Sequence, residues 1–180
     1  QWFDWDGDGW QDVYVVNELA SIRTKSDSRP EGNFFLRNDG GSLTLANDDC
    51  LCHVRHDGMG AGLGDFNQDG RPDLMLAATG SNPLLQQLDD GTYVDVGQAT
   101  GADTLDGTVE SMAWGAIFVD FDNDGFQDIA VAEGDLWHIH TEDPIVKDMA
   151  FNVVRQVEPG RFELANEHGF GQMGSWRSIV

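Results

Sequence analysis

Basic residues are scarce in this chain. Ten Lys and Arg stand against 32 Asp and Glu in 180 residues, for a formal charge of −22. A nucleic-acid binder neutralises phosphate with a basic face and an anionic membrane is held by clustered Lys and Arg, so the balance argues against both and favours cations. Long apolar runs are missing too. None approaches the roughly 20 residues of a transmembrane helix, so no transmembrane segment is expected. The N-terminus, Gln1-Trp2-Phe3-Asp4, carries neither an initiator Met nor a signal peptide and reads as the start of a mature or excised segment. Cysteine is limited to Cys50 and Cys52. Two thiols define no disulfide framework; two residues apart they would share one face of a strand, and the redox compartment is not readable from them. What is plentiful is apolar material: 40% hydrophobic residues, with six Trp and ten Phe, supply a packed core despite the charge.

Much of the acidity falls in a repeated loop. Residues 4–12, 65–73 and 120–128 all read D-x-[DN]-x-D-G-x-x-D, with starts 61 and 55 residues apart. That period exceeds those of tetratricopeptide and ankyrin units and is somewhat longer than a common propeller blade, so each repeat has room for one small sheet. A second landmark recurs between the loops. Residues 33–46, 82–96 and 152–165 each run from an apolar stretch through an acidic or Pro-containing turn closed by Gly to an alternating stretch, the pattern of a β-hairpin. Short apolar runs at 13–16, 74–78 and 129–132 follow the loops, and 115–119 precedes the third, so one repeat amounts to about four strands. The connections at 17–32 and 133–151 are longer and more polar, either partner-contacting excursions or plain solvated loops.

Oxygen ligands at loop positions 1, 3 and 5, a carbonyl at 7 and a carboxylate at 9 suit a hard cation, and Gly at position 6 permits the sharp turn. The first loop offers Asp4, Asp6, Asp8, the Trp10 carbonyl and Asp12; the second Asp65, Asn67, Asp69, the Arg71 carbonyl and Asp73; the third Asp120, Asp122, Asp124, the Phe126 carbonyl and Asp128. Without Cys or His ligands zinc is disfavoured, and a cage supplied largely by protein oxygen disfavours magnesium, which keeps several waters. About three Ca²⁺ ions, one per loop, are therefore expected. An EF-hand begins alike but needs a bidentate Glu at position 12, where this chain has Val15, Leu76 and Val131. For any one loop the competing explanation is an acidic turn capping its own backbone. With three carboxylates and an amide beside Arg71, the middle site should be the weakest. Eleven of the 32 acids lie in these loops, and three bound ions would bring the charge from −22 to −16.

The loop between strands, repeated at about sixty residues, resembles the FG-GAP/VCBS repeat of integrin-α-like β-propellers. Residues 58–70 and 112–125 are similar to the cartilage acidic protein/UnbV-like branch. The resemblance implies an all-β fold of propeller blades, about three four-stranded repeats at roughly 1–58, 59–111 and 112–180 within a larger, typically seven-bladed ring. It also implies calcium in the blade loops, a secreted or cell-surface location and a binding or adhesion role; it does not imply an enzyme, and with no catalytic constellation in the sequence none is expected. Three repeats do not close a ring of the usual four to eight blades. Residues 173–180 repeat the approach of 112–119 to its loop, so the chain reads as a blade-register piece of a longer protein; the rival expectation is head-to-tail association of copies. The remaining blades, in the same or a neighbouring chain, are thus expected partners.

Other clusters stay open as alternatives. Cys50, Cys52, His53 and His56 form either a soft-metal site or a vicinal Cys pair at a blade edge. His138 and His140, near Glu142 and Asp143, would share a strand face, as a transition-metal or acid–base pair or as a solvated pair. Of six Trp, Trp114 and Trp176 precede loops and look like core, while the others are candidates for stacking on sugars. The first expectation is protein or glycan binding through the loop-rich face; the second is the propeller domain of a polysaccharide lyase or hydrolase.

Overall fold

A computed structural model of the chain describes residues 1–17, 32–52, 57–104, 112–134 and 151–165. Each loop-and-hairpin repeat becomes one four-stranded antiparallel sheet whose strands follow chain order. The first holds β1 (Trp2–Phe3), β2 (Asp12–Val15), β3 (Phe34–Asp39) and β4 (Ser42–Leu45). The second holds β5 (Gly58–Gly64), β6 (Asp73–Ala78), β7 (Leu84–Gln87) and β8 (Tyr93–Asp95), and the third β9 (Met112–Val119), β10 (Asp128–Gly134), β11 (Phe151–Glu158) and β12 (Arg161–Leu164). Two single-turn helices, α1 (Asn47–Cys50) and α2 (Gly97–Thr100), follow the first two hairpins. The acidic loops join the first strand of each sheet to the second, and the expected hairpins are β3–β4, β7–β8 and β11–β12.

The sheets stack in chain order, with the second in the middle. Side-chain alternation along β6 divides its residues between two cores: Leu74 and Leu76 pack with Phe3, Tyr14 and Phe35 of the first sheet, whereas Met75 and Ala77 pack with Ile129, Val131 and Val154 of the third. A strand covered on both faces needs a continuous apolar run, and every residue of β6 is buried. These are three blades of a propeller; among the described residues no closed ring forms.

One strand was not legible as such. β5 is Gly-Met-Gly-Ala-Gly-Leu-Gly, a composition poor in strand formers. Its Ala61 and Leu63 pack towards the first blade, while the intervening glycines let its backbone approach β9. A Cβ on Gly62 would lie 2.7 Å from the Ala116 carbonyl oxygen, and one on Gly60 would lie 2.9 Å from that of Trp114. The first strands of blades two and three therefore touch backbone to backbone. Trp114, expected in the core, is half-buried at an irregularity in the β9–β10 register.

The cysteine expectation needs correction. Cys50 ends α1 rather than lying on a strand, Leu51 adopts a left-handed backbone, and Cys50 and Cys52 form a disulfide buried in the core between blades one and two. The Tyr14 hydroxyl donates to the Cys52 carbonyl at 3.0 Å, tying the bridge to β2. Both thiols are consumed, so the soft-metal reading loses its sulfur ligands; His53 and His56 lie outside the described residues.

The outer face of the first blade is apolar. Cross-strand register aligns Trp2, Val13, Leu36 and Leu45 in one row, with Val15 opposite Phe34 beside it. Trp2 is 61% exposed and Leu45 63%, so this face is uncovered at its margins while its opposite side is core.

Candidate metal centres

Each loop is shaped by its first carboxylate. Asp4 accepts the N–H groups of Gly7 and Gly9, Asp65 those of Asp69 and Gly70, and Asp120 those of Asp124 and Gly125, at 2.9–3.1 Å. Position 5 repeats the device one step on, with Asp8, Asp69 and Asp124 accepting from Trp10, Arg71 and Phe126 at 2.8–2.9 Å. Position 6 is left-handed in all three, with Gly9, Gly70 and Gly125 at φ 89°, 84° and 93°, which is why Gly stands there. Position 4 is left-handed as well, at Gly7, Gln68 and Asn123, a requirement the motif did not reveal.

This folding brings three carboxylates of the first loop together. Oxygens of Asp4, Asp6 and Asp8 lie within 4.8 Å of one another, and so do those of Asp120, Asp122 and Asp124. Oxygens this close can all reach one cation at the roughly 2.3–2.6 Å that calcium takes. The donor set is all oxygen and mostly anionic. The carboxylates do cap their own backbone, as the competing explanation has it, but each oxygen keeps further lone pairs, so capping and ligation are compatible.

Position 9 is built differently. Asp12, Asp73 and Asp128 are 1%, 0% and 0% exposed, and each ties two segments together. One oxygen accepts the N–H of position 2, from Trp5, Phe66 and Phe121 at 2.8, 3.2 and 3.1 Å. The other accepts from the third strand of the sheet, from Asn38, Gln87 and Gln156 at 2.7, 2.9 and 2.8 Å. Asp12 and Asp128 are not in the three-carboxylate clusters; they sit beneath them as cross-braces. Burial raises all three pKa values against the pull of the amide bonds, and pushes Asp73 up to about 7. A buried carboxylate with two amide donors gains from a cation nearby, which favours its charged form.

Charge separates the three loops. Among the described residues no Lys or Arg pairs with Asp4, Asp6 or Asp8. In the third loop the Arg155 guanidinium contacts Asp122 at 2.7 Å and Asp124 at 3.5 Å. In the second, Arg71 lies on Asp69 at 2.5 Å and on Asp89 at 2.8 Å, and the Asn67 amide donates to the same Asp69 oxygen at 2.7 Å. Four carboxylates with only the more distant Arg37 acting on Asp6, four against one contacting guanidinium, and three against one contacting guanidinium give a falling order of cation attraction: first, third, second.

A cleft of about 430 Å³ separates the first two loops, lined by Asp4, Asp6, Trp5, Arg71, Asp89 and Gly91 among others. Its wall is held by the Trp5 indole, which donates to the Gly91 carbonyl at 2.8 Å and packs edge-on against Phe35. Trp10, at position 7 of the first loop, is half exposed. His138, His140 and Trp176 lie outside the described residues.

The family model described as an FG-GAP-like repeat matches this chain twice, over residues 4–76 and 65–131. Each match opens at the first Asp of an acidic loop and runs past the start of the next, so loop, sheet and following loop are one unit. No curated protein matches the sequence. With these overlapping matches spanning well over half of its length and the sheets arranged as blades, the chain belongs to the FG-GAP-like repeat family.

Proposed function

We propose that the chain is part of an extracellular β-propeller of the cartilage acidic protein/UnbV-like kind that binds a protein or glycan through its loop-rich face, with calcium structural in the three acidic loops. The observation that carries the calcium part is the threefold recurrence of one geometry: an acidic loop with left-handed turns at positions 4 and 6, braced from below by a buried Asp. Calcium in such a loop neutralises carboxylates that repel when crowded and stabilises the folded state by binding it. Thermal melts in EDTA and in millimolar calcium test this. Calcium should raise the midpoint, whereas equal midpoints would remove its structural role.

A disulfide supports an oxidising, extracellular setting. The loop face offers a cleft beside the first loop and the half-exposed Trp10, suited to stacking on a sugar or anchoring a side chain. The apolar row from Trp2 to Leu45 is the surface on which a further blade would pack, from the same or a neighbouring chain. A glycan array in calcium and in EDTA, repeated with Trp10→Ala, tests the binding role. The alternative, a propeller domain of a polysaccharide-processing enzyme, is tested beside it: turnover of acidic polysaccharide that disappears on replacing His138 or His140 would reverse the reading.

A further inference from the structure

Two buried amides tie the acidic loops to one another. Gln87 on β7 and Gln156 on β11 hold equivalent positions, each giving its backbone N–H to the position-9 Asp of its own blade, Asp73 or Asp128. Their side chains cross to the neighbouring blade. Gln87 Nε2 donates to the Trp5 carbonyl of the first loop at 3.0 Å, and Gln156 Nε2 donates to the Phe66 carbonyl of the second at 3.1 Å. Trp5 and Phe66 are the position-2 residues whose own N–H groups hold Asp12 and Asp73. One hydrogen-bonded series therefore runs from Asp12 through Gln87 and Asp73 to Gln156 and Asp128.

The first blade shows which part of the motif does what. Its equivalent residue, Asn38, keeps the backbone bond to Asp12, but its shorter side chain stays local, on the Gln11 carbonyl and the Gly41 N–H. The backbone half serves the residue's own loop, and the longer glutamine side chain reaches the next blade. Gln87 and Gln156 are 2% and 0% exposed; each amide is matched through Nε2 alone, its Oε1 having no partner among the described residues, so losing the Nε2 bond would also orphan a donor and the Trp5 or Phe66 carbonyl where that costs more than at the surface.

We propose that Gln87 and Gln156 are positioning residues that couple the three loops in series, so that a divalent cation held by one loop favours the closed form of the next. The proposal rests on the calcium reading above. Without a cation, crowded carboxylates push a loop open; with one, the loop closes and fixes its position-9 Asp and its position-2 peptide. The glutamine links those two groups across the blade boundary, so neighbouring loops share a preference for the closed arrangement. Coupling of this kind is reciprocal.

The test uses the full chain and Gln87→Met, which keeps length, volume and the backbone bond to Asp73 while removing the side-chain donor. Calcium is titrated while NMR follows the amides of Gly9, Gly70 and Gly125, each of which donates to the first Asp of its loop. Gln87→Met should weaken the first and second loops by about two- to tenfold, the worth of one buried hydrogen bond, and spare the third. Gln156→Met should weaken the second and third and spare the first. Disabling the first loop with Asp6→Ala and Asp8→Ala should weaken the second in the otherwise native chain, but not in Gln87→Met. Loops that bind calcium independently, or a Gln87→Met chain in which all three weaken equally, would overturn the coupling. If no loop responds to calcium, it is the calcium reading that fails, and the coupling falls with it. Amide exchange in EDTA checks the tie itself: Trp5 should exchange faster in Gln87→Met while Phe121 does not, and an unchanged Trp5 would overturn it.

Discussion

Replacing Gly62 with Ala probes the contact between blades two and three. The added Cβ would stand 2.7 Å from the Ala116 oxygen, 3.0 Å from its carbonyl carbon and 3.2 Å from the Ile117 Cα. All three are backbone atoms of β9, which is held in its sheet by β10, so relief requires two blades to separate. Overpacking of this kind costs about 1–3 kcal/mol, and an immovable partner places the cost in the upper half. Ala recovers about 0.5–1 kcal/mol of that through the stiffer unfolded chain. The net loss is about 2 kcal/mol, a fall in Tm of about 4–8 °C for a chain of this size.

Gly64→Ala is the companion variant. Its Cβ would lie 2.4 Å from Phe118 Cγ, the base of a ring packed against the core, and 2.8 Å from the Gln127 Oε1 that accepts the Asp65 N–H. Neither neighbour can swing aside freely, so Gly64→Ala should cost at least as much as Gly62→Ala. Calorimetry of both variants in saturating calcium, which keeps metal binding out of the comparison, reads the difference. A Gly62→Ala chain that melts with the unmodified protein would refute the close packing of β5 on β9.

Further expectations follow from the loops and the disulfide. Asn67→Asp adds a fourth carboxylate to the middle loop and removes the amide donor from Asp69, so calorimetric titration should find that site tighter by about tenfold or less. Asp73 is pushed up to about 7 by burial from an ordinary 3.8. The metal-free folded chain thus holds a proton between about pH 4 and 7 that the unfolded chain releases, and stability falls as pH rises through 7. Melts in EDTA should give a lower midpoint at pH 8 than at pH 5, with Asp73→Asn flattening the difference. Reducing the Cys50–Cys52 bridge, which closes a loop of only three residues, should cost about 1–2 kcal/mol in denaturant titrations.

The acidic loops and the hairpins were plain in the sequence because both depend on local rules: fixed spacing of Asp and Gly in the one, a turn between apolar runs in the other. What depends on contacts between blades was not. β5 was not among the strands read from the sequence, because its glycines answer to the backbone of β9 rather than to its own strand. Gln87 and Gln156 sit in runs where a polar residue suggests solvent, yet both are buried because each side chain serves a carbonyl more than 80 residues away in sequence. Position 9 was read from spacing as one ligand among five; its two amide bonds to separate segments appear only once the third strand is in place. The two thiols were misplaced on a strand because Leu51 turns the chain through a left-handed conformation at the end of α1.

Native mass spectrometry combined with calorimetric titration tests the central claim most directly. The account predicts three calcium ions per chain, the weakest in the loop that carries Asn67 and Arg71, together with a rise in melting temperature that magnesium does not reproduce. A chain that binds no calcium, or that melts at the same temperature in calcium and in EDTA, would contradict it.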